Sequence, residues 1–237
     1  MSPIVSILFV LLLSVTALRA DFVLEQQAES ESGGTNQLHA FTVKIHDHLM
    51  RMDQPTENVS VLVNLSTHDS TTLLPKDKAY LKRFGNDIRW EVQEEKKYTQ
   101  GTNAMDAAPA PAVDTGKSET VNGMRAEIYS WTGAKGITET LWVATNFPNF
   151  AAIKTELAKL DAFNDTGLHR NAQPALALLP GMVLKSVTVS KTRHLTTMLK
   201  AAKVEPVDPA IFNLPDDYKP YKPPETKPPE PPPTQKK

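Results

Sequence analysis

Short runs in which apolar and polar residues alternate recur along the chain and restrict it to a sheet-rich fold. Residues 39–45 place a phenylalanine, a valine and an isoleucine on one side of an extended chain, and residues 59–65 do the same with three valines and a leucine. An alternation with period two is typical of an antiparallel sheet that has one covered face and one wet face. The chain is therefore expected to build its core on one side of such a sheet.

Other stretches extend the sheet. Strand-like composition between turn residues occurs at residues 22–30, 48–53, 71–75, 182–190 and 193–199. Such segments, bounded by Gly, Asn, Asp and Pro, predict short strands joined by tight turns.

Helical signals are fewer. Phe150, Ile153, Leu157 and Leu160 are spaced for one face of a helix that begins near Pro148. Shorter helical stretches are predicted at residues 87–97, 173–181 and 208–215, the last with Asp208 as its N-cap. Together the elements predict an α+β domain, with one long antiparallel sheet and its helices on one face.

The first twenty residues have the pattern of a secretory signal peptide. Residues 4–15 are apolar except for two serines, and small residues follow, with cleavage plausible after Ala17 or Ala20. The run is too short to span a bilayer. We therefore expect a protein secreted to the periplasm or cell surface of a bacterium, with no transmembrane segment after cleavage; an uncleaved anchor is the alternative.

Two segments lack apolar periodicity. Residues 98–117 are rich in Ala, Pro, Gly and Thr and predict a flexible low-complexity loop inside a single domain, residues 21–218. Residues 219–237 contain five Lys, two Glu and many Pro, and predict a disordered tail. The domain carries 20 basic and 25 acidic residues, whereas the tail is basic. The tail could therefore contact an anionic envelope surface. A linker or solubilising end is the other interpretation.

A hairpin is predicted within residues 123–145, which contain two of the three tryptophans. Pairing Thr132 with Ile137 around the Gly-Ala-Lys-Gly turn sets Ile128 opposite Leu141. The register is an assumption, because a shift of one residue changes which side chains share a face.

The same register places Ala126 opposite Val143 on an aliphatic side of the hairpin. Trp131 and Trp142 then lie together on a side that is aromatic and polar, which we expect to be the outer surface of the sheet.

The order of these motifs resembles a known family. The motifs are TGKSETVNGMRAEIYSW, ITETLWVAT, NFPNFAAI, LPGMVLKSVTV and VDPAIFNLPDDYK. The chain is similar to an uncharacterised family of secreted bacterial domains known as a domain of unknown function, whose architecture is in turn similar to the LolA/LolB lipoprotein carriers. The resemblance covers roughly residues 21–219. It implies a strongly curved, unclosed antiparallel sheet, a half-barrel with a few helices on its concave face, whose mouth holds acyl chains in the carriers. The chain departs from the carriers at residues 98–117 and in the Pro-rich tail.

Motifs of catalytic and nucleotide-binding sites are absent from the sequence. It has no Gly-x-Ser-x-Gly elbow, P-loop, His-Glu-x-x-His or Gly-x-Gly-x-x-Gly, and no cysteine for thiol catalysis or zinc binding. A net charge of −1 gives no reason to expect nucleic acid as a partner. We expect a protein without enzymatic activity or cofactor, with an unrecognised hydrolase as a remote alternative.

His46 and His48 are weak metal candidates. Two histidines at i and i+2 on a strand share a face, but a catalytic zinc site normally has three protein ligands and no third ligand is close in the sequence. A solvated turn at this point is the preferred interpretation.

The sequence therefore predicts a protein that binds an apolar or lipid-like ligand within a curved sheet. The alternative is an envelope interaction or structural module with a solid core that acts through its surface or basic tail. Aliphatic side chains suit a filled core and a hollow one alike. The candidate cavity residues are Phe41, Val43, Val61, Val63, Ala126, Ile128, Leu141, Val143, Ile153 and Leu157.

Overall fold

The computed structural model describes residues 21–87, 90, 111–133, 136–164 and 174–222. They form a twelve-stranded sheet, helix α1 (Phe150–Asn164), and short 3-10 turns at Pro75–Asp77, Leu176–Leu178 and Pro209–Phe212. Residues 85–87 and 90 are also helical. The strands are β1 (Phe22–Ser32), β2 (Thr35–His46), β3 (Leu49–Gln54), β4 (Val59–Asn64), β5 (Ser70–Leu74), β6 (Ala79–Arg83), β7 (Val113–Val121), β8 (Met124–Thr132), β9 (Thr138–Ala144), β10 (Met182–Val189), β11 (His194–Val204) and β12 (Lys219–Pro220).

Two series of neighbouring antiparallel strands meet in the middle of the sheet. The order is β12-β6-β5-β4-β3-β2-β1-β11-β10-β9-β8-β7. Most neighbours in the sheet are neighbours in the sequence, so tight turns can set their register. Among the described strands, distant segments join at the antiparallel β1–β11 pair, at the parallel β6–β12 pair and at the antiparallel β9–β10 pair, whose strands are separated by α1. The outermost strands, β7 and β12, do not pair with each other, so the sheet is unclosed.

Two-residue turns fix several registers. Asn122 and Gly123 link β7 to β8 with φ of 50° and 76°, and Asp47 has φ of 54° in the turn between β2 and β3. Positive φ at both central residues is typical of the type I′ turn and describes Asn122–Gly123, whereas positive φ at the first alone is typical of type II′ and describes Asp47–His48. The twist of both turn types matches that of the flanking strands. These turns therefore join the hairpins without a bulge at their ends.

The sheet curves strongly. Asn122 Nδ2 donates a hydrogen bond to the Leu199 carbonyl at 3.0 Å, although β7 and β11 are four strands apart in the sheet. In a flat sheet that separation would be about 19 Å. Val121 and Ala126 also share a core cluster with Phe22 of β1. The β7–β8 end of the sheet therefore bends towards its middle.

The bend coincides with a separation between two central strands. β10 and β11 pair only from Lys185–Met198 to Val189–His194, whereas β11 continues beside β1 as far as Val204. Leu184 and Leu199 flank this separation and are 0% and 4% exposed. Both belong to the core cluster that also contains residues of α1. The separation between β10 and β11 thus leaves room for α1 to pack in the core.

Helix α1 matches the predicted spacing. Ile153 and Leu157 are 0% and 3% exposed, and both pack in the main core cluster. Lys159 Nζ donates to the Asp47 carbonyl at 3.1 Å and contacts the Glu156 carboxylate at 2.7 Å. These bonds hold the second half of α1 against the β2–β3 turn. No helix in the described ranges is long and apolar enough to cross a membrane.

Residues 205–218, here called the C-terminal segment, connect β11 to the far edge of the sheet. Their contacts are to Asp21, whose side chain accepts from the Val207 amide at 2.7 Å, and to Arg51, which donates to the Ile211 carbonyl at 2.7 Å. Asp208 caps the 3-10 turn by accepting from the Ala210 amide, as predicted.

Two predicted segment boundaries are wrong. Residues 113–117, predicted as loop, belong to β7, where Gly116 and the Thr115 side chain accommodate a bulge opposite Ile128. Residues 98–110 lie outside the described residues. The predicted tail at 219–237 is ordered at its start, because β12 pairs with β6; residues 223–237 lie outside the described residues.

The prolines did not prevent this pairing, because a parallel edge strand needs only alternate donors. Lys219 N donates to the Lys78 carbonyl at 3.0 Å and Tyr221 N to the Tyr80 carbonyl at 2.8 Å. Pro220 lies between these two donors, where its missing N–H is not needed.

Gly181, at the start of β10, allows a close approach between β10 and β9. A Cβ at this position would overlap the Ala144 carbonyl. We expect Gly181→Ala to lower the free energy of unfolding by about 2 kcal/mol or more, since backbone atoms cannot move aside cheaply. Gly33→Ala is the control: its Cβ would meet no atom, so only the strain of its positive φ, about 1 kcal/mol, should appear. Urea unfolding that gives equal losses for the two variants would contradict this account.

Candidate apolar-ligand surface

One row of side chains crosses the sheet from β1 to β6 on a single face. The strand registers place its members directly opposite one another across five neighbouring pairs. We call it the cross-strand row: Leu24, Val43, Met52, Val61, Thr72 and Leu81.

Exposure rises along the cross-strand row towards the edge of the sheet. Leu24 and Val43 are 5% and 7% exposed, Met52 and Val61 are half-buried, and Leu81 is 44% exposed. If the core were filled along the whole cross-strand row, the elements packed over the sheet would bury the side chain at each of its positions. The row is therefore covered at its inner end and open at its outer end.

The row beside it is buried. Its members, two residue pairs closer to the β2–β3 turn and on the same face, are Phe22, Ile45, Met50 and Val63, none of them more than 7% exposed. They share a cluster with Ile153 and Leu157 of α1. On the opposite side of the cross-strand row, Phe41 is half-buried. The outer part of the cross-strand row, Met52 to Leu81, is here called the open strip. It begins where α1 no longer covers the sheet.

Chemically, this strip offers apolar contact and little else. A methionine at its inner end adapts to varied shapes, because its side chain is unbranched and polarizable. Thr72 adds one hydroxyl, and the row contains no ionisable side chain. A surface of this kind can bind hydrocarbon but provides no group for acid–base or nucleophilic chemistry.

Eight of the ten predicted cavity residues lie in or against one core cluster. Five of them are buried within it: Val43, Val63, Ala126, Ile153 and Leu157. Three are partly buried against it: Phe41, Val61 and Ile128. The cross-strand row contains only Val43 and Val61 of this set, so the remainder belongs to the filled part of the core or to its border.

Leu141 and Val143 are not brought together with the other eight. They form a second small cluster with Leu179, against which Tyr129 and Val183 pack. This cluster lies on the other side of the β8–β9 hairpin from Ala126 and Ile128, because residues one apart along a strand point to opposite faces.

Leu141 and Val143 lie apart from the other eight residues because the observed hairpin register differs by one residue from the predicted register. Ile128 is opposite Trp142 and Thr132 is opposite Thr138, so the predicted Ile128–Leu141 pair is wrong. The turn holds one more residue than assumed, since Gly133 N donates to the Ile137 carbonyl at 2.8 Å and Ile137 stays outside the strand.

The predicted place of the tryptophans is wrong as well. Trp131 and Trp142 are 2% and 9% exposed, and the observed register puts them on opposite faces of the hairpin. Trp142 Nε1 donates to a Glu119 oxygen at 2.7 Å, and Lys185 Nζ lies 4.3 Å from the Trp142 ring centre. Neither ring is an outer-surface side chain.

Sequence reasoning missed Thr72 and Leu81. Their strands are only five residues long, so alternation within each is brief. The sequence carries no clear signal for them, because the connections before β4, β5 and β6 are four or five residues long and do not fix which residues face each other.

A separate cavity of about 70 Å³ lies beside the small second cluster. It is lined by Pro111, Ala112, Tyr129, Ala175, Leu178, Leu179 and Pro180. Burial raises the pKa of the Tyr129 phenol, and the charges of Asp114 and Glu127 add to the rise. Small-molecule pockets usually measure about 300–1,000 Å³, so this cavity is too small for an acyl chain.

Two carboxyl groups, one buried and one partly buried, have a pKa above the usual value. Burial raises the pKa of Glu139, against hydrogen bonds from Ser186 and Thr188 that lower it. Burial likewise raises the pKa of Asp161, whose oxygens accept from the Leu176 and Ala177 amides at 3.2 and 2.7 Å. Asp161 thereby ties the end of α1 to the 176–178 turn.

The histidine cluster spans a strand end and a turn, so the expected solvated turn describes only His48. His46 ends β2 and is partly buried, and its Nδ1 lies 2.8 Å from Asp21 Oδ1, while its ring stacks on Phe212 at 5.9 Å. His48 is exposed in the β2–β3 turn. Within the described residues, no group of three His, Cys, Asp or Glu side chains is placed to hold a metal ion.

Comparison with protein families gives one match. The family model described as "Domain of unknown function (DUF4412)" matches residues 35–218, which is most of the chain. No curated protein matches the sequence significantly.

Comparison with solved structures gives distant similarities. PNGF-II is 10% identical, with 86% of this chain and 31% of that chain covered and a TM-score of 0.39. An uncharacterized conserved protein from Thermus thermophilus is 8% identical, with 85% and 90% covered and a TM-score of 0.48. A LolA superfamily protein from Nitrosomonas europaea is 8% identical, with 83% and 91% covered and a TM-score of 0.35. The chain spans about a third of the length of PNGF-II.

Glu139 gives a prediction on pH dependence. A carboxyl whose pKa is raised by folding stabilises the fold fully below its unfolded pKa, near 4.5, and this contribution is lost as the pH rises through the folded pKa. Glu139→Gln is neutral at every pH. It should therefore raise the free energy of unfolding at neutral pH by about 1 kcal/mol, with the gain disappearing near pH 4.

Urea unfolding between pH 4 and 7 measures this difference. The exposed Glu31 on β1 provides the control, and Glu31→Gln should change stability little at any pH in that range. A Glu139→Gln variant that is less stable at pH 7 than at pH 4, relative to the wild type, would show that the carboxylate is stabilised in the fold.

Proposed function

The chain belongs to the family "Domain of unknown function (DUF4412)", and we propose that it binds an apolar, lipid-like ligand along the cross-strand row. The observation that carries this proposal is the rise in exposure from Leu24 to Leu81 along one face. In this proposal the curved sheet is a half-barrel with α1 on its concave side. The protein acts without catalysis, after secretion to the periplasm or cell surface.

The length of the open strip supports a lipid-like ligand. From Met52 to Leu81 the row crosses three strand spacings, about 14 Å. Half of a bilayer's hydrocarbon core, the depth of one layer of acyl chains, is about 15 Å. An acyl chain laid across β3 to β6 would contact each member of the open strip.

The attachment of α1 sets the inner end of the ligand surface. Lys159 links the helix to the β2–β3 turn, and the helix packs over Ile45 and Met50. In this proposal the ligand therefore lies beyond the helix, against Met52 and Val61, where hydrocarbon can contact the side chains that α1 leaves uncovered.

The alternative, an interaction module with a solid core, also has support. Fifteen buried hydrophobic side chains pack in one cluster that includes α1. If the strip stays empty in the presence of lipids, this alternative accounts for the fold, and the protein acts through its surface.

The decisive variant is Leu81→Lys. Leu81 is 44% exposed at the open end of the row, so the change should preserve the fold while placing a charge against the ligand. Loss of this leucine's contact is worth about 1 kcal/mol, so the dissociation constant of an uncharged, fluorescent fatty-acid ester probe should rise about fivefold or more.

The matched control is Leu38→Lys. Leu38 is 56% exposed on β2, and it lies an odd number of residues from Val43, which puts the two side chains on opposite faces. Probe binding to this variant should equal that of the wild type. The proposal fails if the wild type binds no probe and carries no co-purifying lipid in native mass spectrometry, or if the two lysine variants weaken binding equally.

A further inference from the structure

Exposed apolar side chains lie on both faces of the β6–β12 edge. Leu81 and Tyr221 are 44% and 37% exposed, and Tyr221 continues the parallel register of β12 beside Leu81, so the two share one face. Phe84 is 50% exposed directly after β6 and lies with Lys82 on the other face, and Trp90, six residues further along the chain, is 62% exposed. Exposed apolar side chains gathered at one edge mark an interaction site more often than isolated residues do.

Cations surround these side chains. Those on exposed positions of the same edge are Lys76, Lys82, Arg83, Lys219 and Lys222. Lys82 Nζ lies 4.9 Å from the Phe84 ring centre, and Lys78 pairs with Asp217 at 2.9 Å. Four exposed aspartates, Asp77, Asp87, Asp216 and Asp217, lie beside them, so six basic residues, Lys78 included, exceed four acidic ones here. Residues 21–218 as a whole carry five more acidic than basic residues. The edge is therefore more positive than the domain as a whole.

We propose that this surface, here called the basic edge, docks on a lipid bilayer that carries anionic headgroups. Aromatic and aliphatic side chains enter the headgroup region, and Lys and Arg neutralise lipid phosphates beside them. The composition favours a bilayer over a protein partner, since lysine is depleted in protein–protein interfaces whereas lysine beside aromatic residues is common at membrane surfaces.

Docking at the basic edge orients the open strip towards the bilayer. Leu81 belongs to both features, as the outermost member of the cross-strand row and as the first apolar residue of the basic edge. A lipid-like ligand would then pass between the bilayer and the row without crossing open water. This orientation of the ligand path rests on the proposed function, whereas bilayer docking itself does not.

Vesicle binding tests the inference. We expect the full secreted chain to sediment with vesicles of phosphatidylglycerol and phosphatidylethanolamine, and to leave phosphatidylcholine vesicles in the supernatant. Binding should weaken as salt is raised from 50 to about 500 mM, because exposed charges are then screened. Trp90 should shift its fluorescence to shorter wavelength on binding, since Trp131 and Trp142 are already buried.

The variant Lys82→Glu with Phe84→Ser removes one apolar contact and reverses one charge at the basic edge. We expect it to lower affinity for anionic vesicles by about tenfold or more. Its matched control is Lys154→Glu with Leu178→Ser, which changes an exposed lysine on α1 and a leucine that is 76% exposed on the 176–178 turn. The control should bind as the wild type does.

Three results would overturn docking: no binding by the wild type, equal binding to anionic and neutral vesicles, or equal losses in the two double variants. The fatty-acid ester probe separates this failure from failure of the proposed function. A chain that binds the probe but no vesicle loses the docking inference alone, and a chain that binds vesicles but no probe keeps docking and loses the ligand.

Discussion

The limited pairing of β10 with β11 is the constraint on which the rest of the structure depends. A continuous ladder at this point would leave the two halves of the sheet side by side, with no route for a helix between them. Because pairing stops at Lys185–Met198, Leu184 and Leu199 turn towards a shared core with α1. The Leu199 carbonyl then accepts from Asn122 instead of from a neighbouring strand. Helix position and sheet curvature follow from the same interruption.

That interruption also determines which part of the apolar face stays open. With α1 fixed near the centre and bound to the β2–β3 turn through Lys159, its cover ends before the outer strands. β3 to β6 still carry core-type side chains on this face, including Met52 and Val61. An exposed sheet edge is a liability for aggregation, and here the two-residue β12 with Pro220 limits further pairing. The edge is thus blocked for strands while its apolar side chains stay accessible.

Much of this fold follows from sequence, and the exceptions have physical causes. Alternation and strand-like composition located most strands, though not β6, and the spacing of Ile153 and Leu157 located α1. The match to a family of unknown function confirmed the resemblance. The hairpin register was wrong because alternation is unchanged by a one-residue shift, so it could not decide whether Ile137 lies in the strand. β12 escaped prediction because two backbone donors around Pro220 leave no periodic signal.

The candidate surface was predictable only in part. Val43 and Val61 could be identified because each lies in a clean alternating run, but the exposure gradient depends on where α1 ends above the sheet. No local pattern encodes that distance. The two tryptophans showed the same limit, because burial of Trp131 and Trp142 depends on elements far away in the sequence.

The bonds of Asp21 have a consequence for the order of folding. This residue, the first before β1, accepts from the Val207 amide 186 positions later, and its carbonyl accepts from Glu205 N. β1 also takes β11 as a neighbour across nearly the whole domain. β1 therefore cannot complete its hydrogen bonds until β11 and Val207 have been synthesised. Contacts between residues so far apart in the sequence raise the contact order, which slows folding.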